Sequence, residues 1–256
     1  MSKEYSAALK KTNEWLKKTS YKDIKKVARP NPYPWNFWSA KWSYYLSIIL
    51  LKCGIKPNEI TLAWFFTGII SSLFLWPGTL PFGIAFILLY NFTWHLDFVD
   101  GDMARIVHHV CPEYKQNVTG AWLDKFAYSI HKSLVLLGIG VGIYTQTGEL
   151  LFLILGFSSA YILSLDNLMK VRVTEMLAGK KKLEFIEQEP IDYGIKRKWI
   201  GNILVPLIRP EPISILTLAV LFGFMKEILY FYVVLYSIYF VSSFLKINIG
   251  LSKIKR

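Results

Sequence analysis

Long apolar runs, separated by short polar segments, dominate the pattern along the chain after residue 57. Several of these runs approach or exceed about 20 residues, the length at which an α-helix crosses a bilayer. We predict six transmembrane helices, over about residues 59–76, 81–107, 119–144, 150–169, 203–224 and 228–249. The predicted fold class is therefore an all-α integral membrane protein, whose six-helix domain covers residues 58–256.

The first 57 residues follow a different pattern and form an N-terminal segment of their own in this prediction. Lysines are interspersed with apolar residues over 1–29, which indicates a basic amphipathic helix on the cytoplasmic membrane surface. A solvated basic tail is the alternative. After a proline-rich break, the apolar stretch 43–52 is too short to span a bilayer, so we predict an interfacial or re-entrant helix there.

The positive charge is distributed unevenly, and this distribution predicts the orientation in the membrane. The chain carries a net charge of +12, and 12 of its 30 Lys and Arg residues precede Asn58. Eight more lie within 170–198 and four follow Leu245, whereas the predicted outer loops contain only Lys226. Because basic residues concentrate on the cytoplasmic side, both termini are predicted to be cytoplasmic, in a cell inner or plasma membrane. The charge then faces anionic lipid, and we expect no nucleic-acid partner.

A cluster of ionisable residues follows the second apolar run. Asp97, Asp100, Asp102 and Arg105 fall within nine residues, and Asp124 opens the third predicted span. An ionisable side chain at membrane depth costs about 2.5–3.5 kcal/mol on insertion scales, which favours a functional role for such a cluster. Its place near one membrane face, away from the midplane, argues against a transporter.

The helical period sorts these residues onto two faces. Asp97, Asp100, Gly101 and Ala104 share one face of a helix, and Asp102 points away from it. Carboxylates that converge on one face repel each other unless a cation lies between them, and oxygen ligands suit Mg²⁺ or Mn²⁺. The sequence therefore predicts a divalent metal site.

These residues form the pattern Asp97-x-x-Asp100-Gly101-x-x-Ala104-Arg105, followed by Gly120-x-x-x-Asp124. The pattern resembles the motif of the CDP-alcohol phosphotransferase family, integral membrane enzymes also called CDP-alcohol phosphatidyltransferases. Two departures mark a divergent member. The interval of 14 residues between Arg105 and Gly120 is longer than the usual one, and Tyr128 stands where the family has its last Asp.

The resemblance implies a six-helix homodimer that moves a phospho-alcohol group from a CDP-alcohol donor to a lipid or phosphorylated hydroxyl acceptor and releases CMP. Its active site would lie at the cytoplasmic leaflet. The implied roles are metal ligation by Asp97, Asp100 and Asp124, and donor binding by Gly101, Ala104, Arg105 and Gly120. A Pro-Asn pair and a Thr before the first span also match, so Asn58 and Thr61 are expected either to contact the donor or to cap the helix.

The motif does not identify the general base, because Tyr128 replaces the acid that performs this role in the family. Tyr128 has an ordinary pKa near 10 and is a poor base, whereas His131 shares its helix face and titrates nearer neutrality. Asp100, Asp124 or an acceptor phosphate are further candidates, and His131 could equally be a hydrogen-bonded core residue. Arg209 is expected to bind an anionic acceptor or to act as a positive-inside residue. Tyr128 also suggests an alternative, a pseudoenzyme that binds cytidine nucleotide and metal as a scaffold or regulator.

Overall fold

The computed structural model describes residues 3–28, 37–113, 118–178 and 215–254. Within these ranges the chain is all-helical and contains no strand, which confirms the predicted class for this part of the protein. The helices described here are α1 (Lys3–Lys18), α2 (Tyr21–Ala28), α3 (Phe37–Lys52), α4 (Pro57–Leu73), α5 (Leu80–Val110), α6 (Val118–Thr147), α7 (Leu150–Ala178), α8 (Ile215–Phe222) and α9 (Met225–Ile254).

Four stretches of the described residues are long and apolar enough to cross a membrane, and they correspond to the second, third, fourth and sixth predicted spans. They are Leu80–Val110, Phe126–Thr147, Leu150–Met169 and Met225–Leu245. The first predicted span coincides with α4, a helix of 17 residues that is not among these four stretches. Of the fifth, residues 203–214 lie outside the described residues and the rest falls largely within α8. Large apolar side chains such as Leu88, which is 68% exposed, suit contact with lipid.

The described chain divides into two compact units, whose boundaries fall inside α4, α5 and α6. The first unit is Met1–Ile70 with Leu88–Tyr128, and the second is Ser71–Ile87 with Ser129–Arg256. The N-terminal helices α1 to α3 therefore belong to the same unit as the part of α5 that carries the acids.

The N-terminal segment is helical as predicted, but its apolar face is buried in protein. Tyr5 and Ile24 are only 1% and 2% exposed, and they join a core built largely with residues of α3, α4 and α5. Lysines such as Lys10, Lys17 and Lys25 remain exposed on the outer side. The alternative of a solvated basic tail is therefore wrong, because burial against α3 and α5 takes up the apolar side chains.

The turn between α3 and α4 shows which residue is the N-cap of α4. Gly54 has a φ of 83°, a left-handed conformation that favours glycine and ends α3. The next helix begins at Pro57, and the Lys56 backbone N–H donates to a carboxylate oxygen of Glu59 over 3.1 Å. Lys56 is thus the N-cap residue, and its hydrogen bond to Glu59 is one of the two bonds of a capping box. Asn58 lies inside the first turn, so its prediction as N-cap was wrong.

Close helix packing in the second unit relies on glycines of α6. A Cβ placed on Gly142 would lie 2.2 Å from the carbonyl oxygen of Leu75, and one on Gly140 would lie 2.8 Å from the Cα of Gly156. Since backbone atoms occupy these positions, no larger residue fits without moving a helix.

Candidate functional site

Asp97, Asp100 and Asp102 lie on α5, where Asp102 faces away from Asp100 as the helical period predicted. Asp100 and Asp102 are both buried, at 8% and 0% exposure. The side chain of Asp100 meets α4, whereas that of Asp102 meets α3. The two carboxylates therefore belong to two different hydrogen-bond networks, although only one residue separates them.

Two donors from α4 hold Asp100. The Thr61 hydroxyl donates to its Oδ2 over 2.6 Å, and the Trp64 indole Nε1–H donates to the same oxygen over 2.9 Å. Thr61 and Trp64 are one turn apart on α4 and both are buried, at 4% and 2% exposure. Charge-assisted bonds of this kind fix the orientation of a carboxylate and offset the cost of its burial.

Acids of two consecutive helices interact at this place. The carboxylates of Asp100 on α5 and Asp124 on α6 repel each other electrostatically, and Asp97 is half-buried one turn before Asp100 on α5. In the described part of the chain, however, no three His, Cys, Asp or Glu side chains form a group able to hold a metal ion. The oxygen chemistry of the predicted ligands suits Mg²⁺ or Mn²⁺, whereas their arrangement is not that of a formed site.

A second network joins three helices around Arg105. Asp102 accepts from the Ser43 hydroxyl over 2.6 Å and from Nη2 of Arg105 over 2.8 Å. The Nε–H of Arg105 donates to the backbone carbonyl of Ala28, the last residue of α2. A carbonyl at a helix C-terminus has no partner within its helix, and a cation there is favourable. Asp102 and Ala28 thus hold the guanidinium from two sides.

Gly101 lies beneath this guanidinium. A Cβ at Gly101 would stand 3.2 Å from both Nη1 and Nη2 of Arg105, and no backbone atom of another helix is among its three nearest neighbours. The neighbouring small residue, Ala104, is half-buried. The missing side chain at Gly101 therefore leaves room for Arg105, and its role in donor binding stays a prediction.

The two candidate bases on α6 differ in their surroundings. The Tyr128 ring stacks on Trp94 of α5, with centroids 5.9 Å apart and planes inclined by 26°. His131, which lies in the part of α6 assigned to the second unit, is 3% exposed. Tyr128 is therefore a partly buried aromatic residue packed against the core, at the position where the motif has a carboxylate.

The end of α5 beyond the acids is covered by α1. Lys11 forms an ion pair of 2.9 Å with Glu113, and Trp15 lies edge-on to His109 with ring centroids 5.6 Å apart. The hydrogen bond with Lys11 lowers the pKa of Glu113, and the same bond raises the pKa of Lys11. Both side chains are exposed, so the pair adds little stability of its own.

The remaining predicted site residues are Asn58, Gly120 and Arg209. Asn58 is half-buried in the first turn of α4, and Gly120 lies in the first turn of α6. Arg209 lies outside the described residues, so its role in acceptor binding stays a prediction.

Sequence reasoning missed Trp64 and Ser43 as partners of the acids. Trp64 follows Thr61 by three residues, so the helical period places both on one face of α4. Ser43 and Ser47 are four residues apart and lie on one face of α3, where both are buried. These spacings were visible in the sequence, but they do not identify which acid each side chain meets.

Compared with known proteins, the chain matches no protein-family model and no curated protein. The resemblance to the CDP-alcohol phosphotransferases therefore depends on the motif itself.

Proposed function

We propose that this protein is a divergent CDP-alcohol phosphotransferase, which moves a phospho-alcohol group from a CDP-alcohol donor to a hydroxyl acceptor and releases CMP. The acceptor would be a lipid or a phosphorylated alcohol, and the product a phospholipid or a phosphodiester-linked glycan or lipid precursor. The proposal starts from the spacing of Asp97, Asp100, Arg105 and Asp124, which resembles the motif of that family.

The observation that carries the proposal is the environment of Asp100. This carboxylate is buried, oriented by Thr61 and Trp64, and interacts with Asp124 of the next helix. Burying a carboxylate costs free energy, and a buried acid close to a second acid is typical of functional sites. A purely structural acid would be expected to have a cation as its partner.

Binding of Mg²⁺ or Mn²⁺ is proposed from the motif alone, because the described residues contain no group of three side chains able to hold a metal ion. Asp97, Asp100 and Asp124 would hold the ion, which would neutralise charge on the donor diphosphate. Arg105 would bind a phosphate oxygen. The candidates for the general base are Tyr128, His131, Asp100, Asp124 and the acceptor phosphate.

The proposed protein has six spans, with α4 and the segment around α8 added to the four apolar stretches. Both termini would be cytoplasmic and the site would face the cytoplasmic leaflet, in keeping with the distribution of Lys and Arg. A homodimer is proposed from the family resemblance.

The experiment is CMP release from a panel of CDP-alcohols by the purified chain in lipid nanodiscs, with Mg²⁺ or with EDTA. We expect release with Mg²⁺ that EDTA abolishes and that Asp97→Asn lowers by at least about 100-fold, the scale of losing a metal ligand's contribution. Glu14→Gln removes an exposed carboxylate of α1 and serves as the matched control. Unchanged release by Asp97→Asn, beside an unaffected control, would refute the proposed role of the motif.

A second candidate function is a pseudoenzyme that binds cytidine nucleotide as a scaffold or regulator. The stacking of Tyr128 on Trp94 favours it, because an aromatic pair occupies the position of the last motif acid. This candidate predicts binding of CDP without turnover of any donor in the panel. Tyr128→Asp restores the acid of the motif, so a gain of CMP release in that variant would support loss of catalysis at this position.

A further inference from the structure

We propose that Asp102 is a positioning residue, which together with the Ala28 carbonyl holds the Arg105 guanidinium in place to bind a phosphate of the nucleotide donor. The inference rests on the proposed function, because it assigns the donor diphosphate as the ligand. It adds Asp102, Ser43 and Ala28 to the site, none of which belongs to the motif.

The first step is the burial of Asp102. Its carboxylate is fully buried and is charge-compensated by Arg105, while Ser43 occupies its other oxygen. A buried carboxylate with a donor at each oxygen has little freedom to rotate. Asp102 is therefore a fixed point, anchored to α3, from which the guanidinium of Arg105 can be oriented.

The second step concerns the N–H groups of Arg105 that do not contact Asp102 or Ala28. A guanidinium has five N–H donors in a planar fork, and the contacts to Asp102 and Ala28 use the Nε–H and one N–H of Nη2. Among the described residues, three donors are thus available to a ligand. The side chain is 45% exposed, whereas that of Asp102 is 0% exposed, so one edge of the fork is anchored and the other is accessible.

The third step is the sign of the charge. A carboxylate beside Arg105 also repels an anionic ligand, so Asp102 would weaken phosphate binding if electrostatics were its only effect. A positioning role has the opposite consequence, because a preorganised fork loses less conformational entropy when it binds. The two roles can be separated by the direction in which affinity changes when Asp102 is removed.

The experiment measures the affinity of the full-length chain in nanodiscs for CDP, with Mg²⁺, by isothermal titration calorimetry. We expect Asp102→Ala to weaken CDP binding about tenfold, the equivalent of one charge-assisted hydrogen bond. Asp102→Asn retains an oxygen acceptor for Arg105, so it should restore affinity to within about threefold of the wild type. Glu14→Gln, which removes one exposed negative charge from α1, is the matched charge control.

Arg105→Lys gives an independent measurement if Asp102→Ala fails to fold. Lysine keeps the charge but has no fork to reach both Ala28 and Asp102, so we again expect a loss of about tenfold, equal to 1.4 kcal/mol. Unchanged or tighter CDP binding by a folded Asp102→Ala, or by Arg105→Lys, overturns the positioning role and leaves the proposed function standing. A wild-type chain that does not bind CDP refutes the proposed function, and the inference falls with it.

Discussion

The two hydrogen bonds to Asp100 give a quantitative test of how the site is held together. Thr61→Val removes one donor and keeps the shape of the side chain, and Trp64→Phe removes the other while keeping an aromatic ring. Both residues are nearly fully buried and donate to the same oxygen of Asp100. Each variant therefore leaves one donor in place, and only the double variant deprives that oxygen of both.

The magnitude follows from the burial of the carboxylate. A hydrogen bond to a charged group contributes about 1.5–3 kcal/mol, so Thr61→Val should lower the free energy of unfolding by that amount. Trp64→Phe should cost about 1 kcal/mol more, because the smaller ring leaves a cavity. The double variant should lose about 0.5–3 kcal/mol beyond the sum of the single losses, since the buried oxygen is then left without these donors.

The assay is denaturant unfolding in mixed micelles, followed by far-UV circular dichroism. Thr67→Val is the matched control on the same helix, because the Thr67 hydroxyl donates only to the carbonyl of Ala63 in its own turn. Its effect should stay within about 0.5 kcal/mol. Adding Asp100→Leu to the double variant should recover stability, because the carboxylate whose partners are missing is removed with them.

Strict additivity of the two single variants would refute this reasoning. So would a double variant whose stability Asp100→Leu does not raise. Either result would mean that the free energy of this region does not depend on the paired donors of α4.

Two further predictions concern packing and pH. Gly142→Ala should destabilise the protein by about 1–3 kcal/mol, because its Cβ would lie 2.2 Å from the Leu75 carbonyl oxygen. Gly101→Ala should cost less, about 0.5 kcal/mol, because its Cβ would meet no backbone atom but only the end of the Arg105 side chain, at 3.2 Å, which has to shift by a few tenths of an ångström. The Lys11–Glu113 pair should weaken in acid. Because the folded-state pKa of Glu113 lies below its ordinary 4.5, the contribution of the pair is complete above that pH and is lost as the pH falls through the lower value.

Thermal unfolding in detergent compares Gly142→Ala with Gly101→Ala. Equal unfolding midpoints for these two variants would contradict the close approach of Gly142 to the Leu75 carbonyl. For the ion pair, the measurement is the tryptophan emission of wild type and Glu113→Gln between pH 6 and 3, at steps of about half a unit around the ordinary pKa of a glutamate. The acid-dependent change should be smaller in Glu113→Gln. An identical profile in both would show that Glu113 does not hold α1 on α5.

Much of the helical framework could be predicted, because it depends on local patterns. The long apolar runs predicted α5, α6, α7 and α9 to within a few residues of most of their ends. The N-cap of α4 was harder to predict. Asn58 is a better N-cap former than Lys56 by propensity, but the Glu59 carboxylate and the ring of Pro57 favour a start two residues earlier.

For the site, the sequence by itself determined which residues share a helix face. The 100° step between residues is a local property, so it was enough to separate Asp102 from Asp100 and to put Thr61 on the face of α4 that also carries Trp64. The apolar runs likewise determined that four stretches of the described residues are long and apolar enough to cross a membrane.

Only the tertiary structure decided which faces meet. Ser43 is 59 residues from Asp102 and Trp64 is 36 residues from Asp100, and no local pattern ranks one such pairing above another. The same holds for the N-terminal helices, whose apolar face would fit either a lipid surface or a protein core by composition. The core prevailed because α3 and α5 offer apolar surface that burial removes from water, and the free energy of that burial is roughly proportional to its area.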